Sequence, residues 1–430
     1  MIMKRFATET VGCRLNQYET EKIAAQLEKL GLHRVPFTEP ADLYIINTCT
    51  VTGRADATCR NYISRVARHY PEARLAVVGC YVEADPDRVG ALPGVDLMVG
   101  TGDKDRFVTI IRDRYPELFD TAETPSLPAA VTDFYVHNRA WIKISDGCNQ
   151  RCAYCIIPLV RGPLKNRPAV EIADEIRTLS GNGFNEVVLT GVHIGKYRDD
   201  GLSSFADLLR YLLDNTDIWR IRISSIEPQE VTADLLRVFA EAGKRLCRHL
   251  HLPLQAGSDR VLKLMRRPYD SRRYLNIART VREKIDGVVI GADVIVGFPG
   301  ETDDDFAGSV AVADSGLLDY LHAFSYSDRP GTLSSEMPGK IKPDIIKKRN
   351  RILREISHRR YAEALRRALG HTFDAISEYR YDRDRGTYFG MTDNYLRIRI
   401  PDTLGGGKEL LKFKAIGATD DYLTGEIIGD

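Results

Sequence analysis

The chain has 430 residues, 43% of them hydrophobic and 28% charged. At about 150 residues per domain that length suits roughly three domains, and the composition excludes global disorder. The 61 Lys and Arg against 60 Asp and Glu leave a net charge of +1, which excludes a uniformly basic nucleic-acid coat but leaves room for local basic patches.

Residues 1–115 alternate short apolar strands (KRFATETVG, DLYIINT, RLAVVG) with helical stretches such as NQYETEKIAAQLEKLG. That order predicts a parallel sheet with helices on its faces. Residues 116–133 contain prolines and no clear periodicity, and read as a linker.

Residues 134–365 offer six strand candidates: WIKISDG, EVVLTGV, RIRISSI, HLHLPLQ, VIGADVIVGFP and YLHAFSYS. Helical stretches between most of them predict a partial (β/α)6 barrel, with function at the C-terminal ends of its strands. A doubly wound sheet with the same element order is the alternative. One long helix is expected after Pro343. Residues 366–430 switch to short strands with turns at Asp393-Asn394 and Gly405-Gly406-Gly407, which suits a small antiparallel barrel. The overall class is α/β.

No apolar run reaches the ~18 residues of a spanning helix. The opening MIMKRFATETVGC also lacks a signal-peptide core. A cytoplasmic location without membrane contact is the expectation. Eight cysteines are too few for a disulfide scaffold and point to metal binding or catalysis.

Cys148, Cys152 and Cys155 form CNQRCAYC, a C-x3-C-x2-C spacing that follows the first strand of the middle segment. Three thiolates within eight residues can wrap one face of a metal centre and leave one coordination position open, as a catalytic centre requires. Cys13, Cys49 and Cys80 are far apart in sequence, yet each follows a predicted strand (TVGC, INTC, VVGC). In a parallel sheet such positions converge on one edge, where a second open-site centre could form. Cys59 and Cys247 fit neither pattern and read as packing residues.

CNQRCAYC resembles the cluster loop of radical S-adenosylmethionine (SAM) enzymes. Together with GCRLNQYET, NTCTVT, VVGCYVEADP and LHLPLQAGSDRVLKLMRRPY, the whole chain resembles the tRNA methylthiotransferases, most closely the branch acting on threonylcarbamoyladenosine beside the anticodon. Relatives act on isopentenyladenosine or on an aspartate of a ribosomal protein. The resemblance implies two 4Fe-4S clusters and SAM as cofactors, and a terminal RNA-binding TRAM domain. It further implies an external electron donor and sulfur source, and two roles for SAM. One SAM yields a 5′-deoxyadenosyl radical that abstracts hydrogen from the adenine carbon, and a second methylates the inserted sulfur. Nothing in the sequence demands an assembly, so a monomer is expected. A non-catalytic iron-sulfur RNA-binding protein is the rival class, and the open-site spacing argues against it.

The same resemblance places the backbone around Tyr154 at the adenine of SAM and the Gly191 region at its methionyl part. Ser225, Glu227 and Gln255 follow predicted barrel strands and are polar candidates for SAM contacts. The plain alternatives are that Glu227-Pro228 ends a strand and that Gln255 satisfies loop backbone. His193 and His251 read as hydrogen-bonded structural residues.

The near-neutral total hides an asymmetry. Residues 340–367 hold eleven Lys and Arg against three acids, a net +8, whereas 369–430 carry −3. Lys347, Lys348 and Arg351 on the long helix are therefore expected to contact tRNA phosphates, unless the run is only a solvated face. Arg161, Lys165 and Arg167 beside the cysteine loop are second candidates. Arg380, Arg397, Arg399, Lys412 and Lys414, with Tyr388 and Phe389 for stacking, complete the expected RNA contacts.

Overall fold

The structure, a computed structural model, describes residues 4–119, 127, 130–134, 137–401 and 407–428. The N-terminal unit contains β1 (Arg5–Thr10), α1 (Arg14–Lys29), β2 (His33–Arg34), β3 (Leu43–Thr48), α2 (Gly53–His69), β4 (Arg74–Gly79), α3 (Cys80–Ala84), α4 (Pro86–Gly90), β5 (Leu97–Val99) and α5 (Phe107–Arg114). Its sheet runs β2-β1-β3-β4-β5 with every pair parallel. Every residue of the central strand β3 is buried, because helices cover both faces of such a sheet. Two apolar clusters, one per face, form its core.

The second unit begins with β6 (Ala140–Lys143), the hairpin strand β7 (Ser145–Asp146), α6 (Ile157–Val160), the other hairpin strand β8 (Lys165–Asn166) and α7 (Ala169–Gly181). It continues as β9 (Glu186–Thr190), α8 (Phe205–Asn215), β10 (Arg220–Ile223), α9 (Ala233–Ala242), β11 (His249–His251), α10 (Asp259–Leu264) and α11 (Ser271–Lys284). The last members are β12 (Val289–Val296), α12 (Asp303–Ala313), β13 (Tyr320–Ser325) and the long α13 (Pro343–Arg367).

All six expected barrel strands are present. They lie in the order β6-β9-β10 and β11-β12-β13, all parallel. Bridges Ile221–Leu246 and Ser225–His251 join the two halves. The barrel is open, as the six units predict, and it is not doubly wound. Alternate strand residues such as Leu250, Leu252, Ile290, Ala292 and Val294 pack outward on the helices in one large core. The intervening His249, His251, Asp293 and Tyr320 hydrogen-bond to one another across the inner face.

The third unit is a closed barrel of β14 (Thr372–Asp382), β15 (Thr387–Thr392), β16 (Arg397–Ile400), β17 (Leu410–Ala418) and β18 (Leu423–Ile428), ordered β14-β15-β16-β18-β17. The expected turn at Asp393-Asn394 joins β15 to β16, and Tyr395 in it has φ 71°. The glycine turn at 405–407 lies largely outside the described residues.

Two features depart from the sequence reading. The linker is partly docked: Val131 is fully buried, and its N–H donates to Glu175 Oε1 at 2.7 Å. Phe134, beyond the expected linker end, is buried in the same core. The terminal barrel, in turn, seals the lower mouth of the open one. Arg220 donates to the carbonyls of Asp374 and Met391 at 3.0 and 3.1 Å, and Arg222 to those of Thr392 and Asp393 at 3.0 and 3.1 Å. Both arginines are fully buried and share the carboxylate of Glu186, itself fully buried. Tyr395 then stacks on His249 at 4.3 Å.

Candidate active site

Cys13 is the N-cap of α1, Cys49 follows β3 and Cys80 opens α3. Because β1, β3 and β4 are adjacent, the three cysteines share the C-terminal edge of the sheet. Gly12, at φ +115°, lets the first loop approach the second: a Cβ there would lie 2.6 Å from Cys49 Cβ. Burial pushes the Cys49 thiol up to about 12, so the free group is uncharged and ligation there releases a proton. Cys59 is buried on α2 with its thiol 3.6 Å from the Cys49 carbonyl. Cys247 is buried behind Glu186.

The second cysteine loop is closed at its base by the β7–β8 hairpin, and the Cys148 N–H donates to Gly162 O at 3.1 Å. Cys148 Sγ accepts from the N–H of Gln150 at 3.3 Å and lies 3.4 Å from His193 Nδ1. His193 Nε2 in turn meets Glu230 at 2.6 Å. Arg267 Nη1 donates to Cys152 Sγ at 3.1 Å. N–H groups aimed at sulfur suit thiolates that ligate metal. Burial pushes Cys155 up to about 12.

Among the described residues no group of His, Cys, Asp or Glu is drawn together tightly enough for a single ion. A cluster of four irons and four sulfides spreads its thiolates over the corners of a cube, wider than one ion does. The donor set, three thiols per group with no fourth ligand among the described residues, fits such clusters with one iron open.

The two loops touch. Cys80 packs against Ile156, directly after Cys155, and against Val160. Arg161 donates to Glu19 at 3.0 Å, to Asp146 at 2.9 Å and to Asn16 Oδ1. Asn16 Nδ2 donates to the carbonyls of Val11 and Thr48 at 2.8 and 3.0 Å, beside Cys13 and Cys49. Glu19 also receives Lys104 at 2.5 Å and Lys143 at 3.3 Å. Although burial opposes it, these three cations hold the Glu19 carboxyl well below the usual range.

This geometry corrects two expectations. Arg161 is 2% exposed and ties the two units together, so it has no free face for RNA. Arg167 likewise bonds Tyr18 of α1 at 3.0 Å and Glu175 at 2.7 Å. Both stand near the cysteine loop because they dock it. Lys165 is exposed.

Of the SAM candidates, Tyr154 is part-buried on the loop, and Ser225, Glu227 and Gln255 lie at the ends of β10 and β11, as expected of the barrel. The Glu227 carboxylate is paired with Arg267, and this accounts for its position without SAM. Gln255 has φ 68°, and its backbone pairs with Asp293 and Ile295 at 2.8 and 2.9 Å. A Cβ on Gly191 would lie 2.3 Å from Ser145 Oγ, so close packing enforces glycine there. His193, Glu230 and Arg267 are the residues the sequence reading undervalued. His193 is hydrogen-bonded as expected of a structural residue, but one partner is a cysteine of the loop, and Arg267 stands in the sequence only inside LMRRPY.

Lys347, Lys348 and Arg351 lie exposed on α13. Neither lysine has an ion pair among the described residues, whereas Arg351 reaches Glu355 at 3.7 Å. Much of the remaining +8 is spent internally: Arg349 is buried on Glu301 at 2.6 Å, and Arg359, Arg366 and Arg367 pair with Asp314, Asp420 and Asp319. In the terminal barrel Arg399, Lys412 and Lys414 are exposed, but Phe389 is 1% exposed beneath the guanidinium of Arg397 and is not available for stacking. Tyr388 is half-buried, and the side chain of Arg380 lies outside the described residues.

Comparison with known proteins defines the class first. The Radical SAM superfamily matches residues 142–313, and Uncharacterized protein family UPF0004 matches residues 5–100. A solved radical SAM methyltransferase, TsrM from Kitasatospora setae, shares the fold with a TM-score of 0.58 at 16% identity over 77% of this chain and 75% of that one. The chain is therefore a radical SAM enzyme, a class that uses a 4Fe-4S cluster and SAM.

Curated relatives then narrow it. Threonylcarbamoyladenosine tRNA methylthiotransferase MtaB of Bacillus subtilis is 33% identical over 99% of this chain and 97% of its own length. The tRNA-2-methylthio-N(6)-dimethylallyladenosine synthase of Acidothermus cellulolyticus is 36% identical over 80% of this chain and 71% of its own. The chain belongs to the radical SAM tRNA methylthiotransferase family. No helix among the described residues is long and apolar enough to cross a membrane.

Proposed function

We propose that this protein methylthiolates carbon 2 of N6-threonylcarbamoyladenosine beside the tRNA anticodon. The observation that carries the reading is the direct contact between the two cysteine loops, through Cys80 against Ile156 and through Arg161 on Asn16. Similarity to MtaB proteins of four organisms supports the substrate.

Cys148, Cys152 and Cys155 would hold a 4Fe-4S cluster that with SAM would supply hydrogen abstraction, and Cys13, Cys49 and Cys80 would hold a second cluster that would supply sulfur. The chain's own residues hold that chemistry in place. His193 on Glu230 and Arg267 on Glu227 support two of the cysteines from behind. The Arg161–Glu19–Asn16 network fixes one loop against the other, since buried, charge-assisted hydrogen bonds are short and directional. The β15–β16 turn closes the far end of the barrel and keeps water from the reacting atoms. Tyr154, Gly191, Ser225 and Gln255 form the strand-end rim where SAM would lie. An external electron donor and a sulfur source complete the partners, and the chain acts as a monomer.

Mass spectrometry of tRNA nucleosides tests the substrate. Cells lacking the gene are expected to retain threonylcarbamoyladenosine and lose its 2-methylthio form. An unchanged nucleoside profile would refute the assignment. Similarity to the dimethylallyladenosine synthase favours a second reading with that base; loss of the methylthio group from that nucleoside instead would select it.

Lys347, Lys348 and Arg351 on α13 then face tRNA phosphates, with Lys165 near the loop. Changing the three to Glu is expected to weaken tRNA binding by at least about tenfold at low salt and to flatten its salt dependence, since each lost phosphate contact lowers the slope by about one. A filter-binding salt titration reads this, and an unchanged slope would remove α13 from the interface.

A further inference from the structure

We propose that Arg267 is a positioning residue that raises the reduction potential of the cluster at Cys148, Cys152 and Cys155, and that Glu227 is its counterweight. Arg267 follows α10, immediately after Arg266, whose φ of 58° turns the chain back toward the cysteine loop. The same turn grips the loop through its backbone, with the Ala153 N–H donating to Met265 O at 3.0 Å.

The guanidinium is fixed on every side. Nε and Nη2 donate to Tyr269 Oη at 3.1 and 2.9 Å, and the group lies 5.1 Å over the ring of that tyrosine. Tyr269 is itself anchored, donating to Pro253 O at 2.7 Å. Nη2 also pairs with Glu227. Two N–H groups remain, both on Nη1, and that nitrogen donates to Cys152 Sγ at 3.1 Å.

An arginine has good reason to end on oxygen, because its planar fork matches carboxylates. Here one arm is committed to sulfur instead, with the side chain 2% exposed. A neutral thiol accepts hydrogen bonds weakly, whereas a metal-bound thiolate accepts them strongly. The arrangement is therefore organised for the ligated state. Hydrogen bonds to the sulfurs and nearby net charge are main determinants of iron-sulfur potentials. A cation donating to a ligand sulfur favours the form with the extra electron. Glu227 offsets part of that charge, so the two residues act with opposite sign. Arginine stays charged at every working pH, so the effect does not titrate.

The inference rests on those three cysteines holding the cluster, and iron content tests that separately: Cys152→Ser would lose iron if they do. The decisive measurement is a dye-mediated redox titration followed by electron paramagnetic resonance on the full-length, reconstituted chain. It is run without SAM and in a Cys13→Ser, Cys49→Ser, Cys80→Ser background, so that one centre responds. Arg267→Gln is expected to shift the midpoint negative at unchanged iron content, Glu227→Gln to shift it positive, and Arg267→Lys to stay near the parent value. If Arg267→Gln fails to hold iron, the Glu227→Gln shift alone decides. Shifts of the same sign in both Gln variants, or no positive shift for Glu227→Gln, would leave Arg267 as a packing residue and overturn the proposal.

Discussion

With Cys13, Cys49 and Cys80 all changed to serine, the anaerobically reconstituted protein should bind about four irons per chain in place of about eight. It should still release 5′-deoxyadenosine from SAM under reductant, yet form no methylthiolated nucleoside. This follows if the labour is divided as proposed, with the barrel loop serving SAM and the three strand ends of the N-terminal sheet serving sulfur. Changing Cys148, Cys152 and Cys155 instead should abolish both products. The measurements are an iron assay, chromatography of the nucleoside released and mass spectrometry of the tRNA. Undiminished iron in the first variant would show that the N-terminal cysteines hold no cluster. Loss of 5′-deoxyadenosine at normal barrel-loop iron would show that the loops do not work separately.

The second large effect concerns Glu19. Its carboxylate is 7% exposed and neutralises Lys104, Arg161 and Lys143, three cations that meet at the boundary of two units. Glu19→Gln keeps the shape and removes the charge, which leaves Asp146 alone against Arg161 and Lys143. Breaking a buried pair by losing one partner costs about 3–5 kcal/mol. That loss should appear as a lower urea midpoint for the step that undocks the N-terminal unit from the barrel. The pH dependence has a definite sign. The folded carboxyl sits below its ordinary value of 4.5. Its contribution is therefore complete above that value and is lost as pH falls through the lower folded one. The variant should lack that part of the acid limb. A change below about 1 kcal/mol, at the level of exposed pairs, would show that the network does not hold the two units.

Much of this was legible because it is local or periodic. The C-x3-C-x2-C loop is contiguous, the six barrel strands are apolar runs with helices between them, and a strand followed by cysteine three times over is enough to place Cys13, Cys49 and Cys80 on one edge. The failures share one cause. Arg161, Arg167 and Phe389 were read by residue type, as cations and a ring free to meet RNA. Whether a charge is free depends on partners 142 residues away for Arg161 and 8 and 149 away for Arg167. Phe389 is covered by Arg397 on the neighbouring strand. The fates of Glu227 and Arg267 were hidden likewise, since their pairing joins the end of β10 to the turn after α10, 40 residues apart. Nothing periodic records such a meeting.

The seal that the terminal barrel makes on the open one has a geometric consequence. Arg220 and Arg222 bind its backbone carbonyls at four points, with Glu186 behind them and Tyr395 stacked within. Backbone carbonyls do not swing as side chains do, so these four bonds fix the seating of one barrel on the other. That seating sets the distance from the rim of the small barrel to the cysteine loops. The four hydrogen bonds at the seam thus act as a fixed spacer between the small barrel and the cysteine loops.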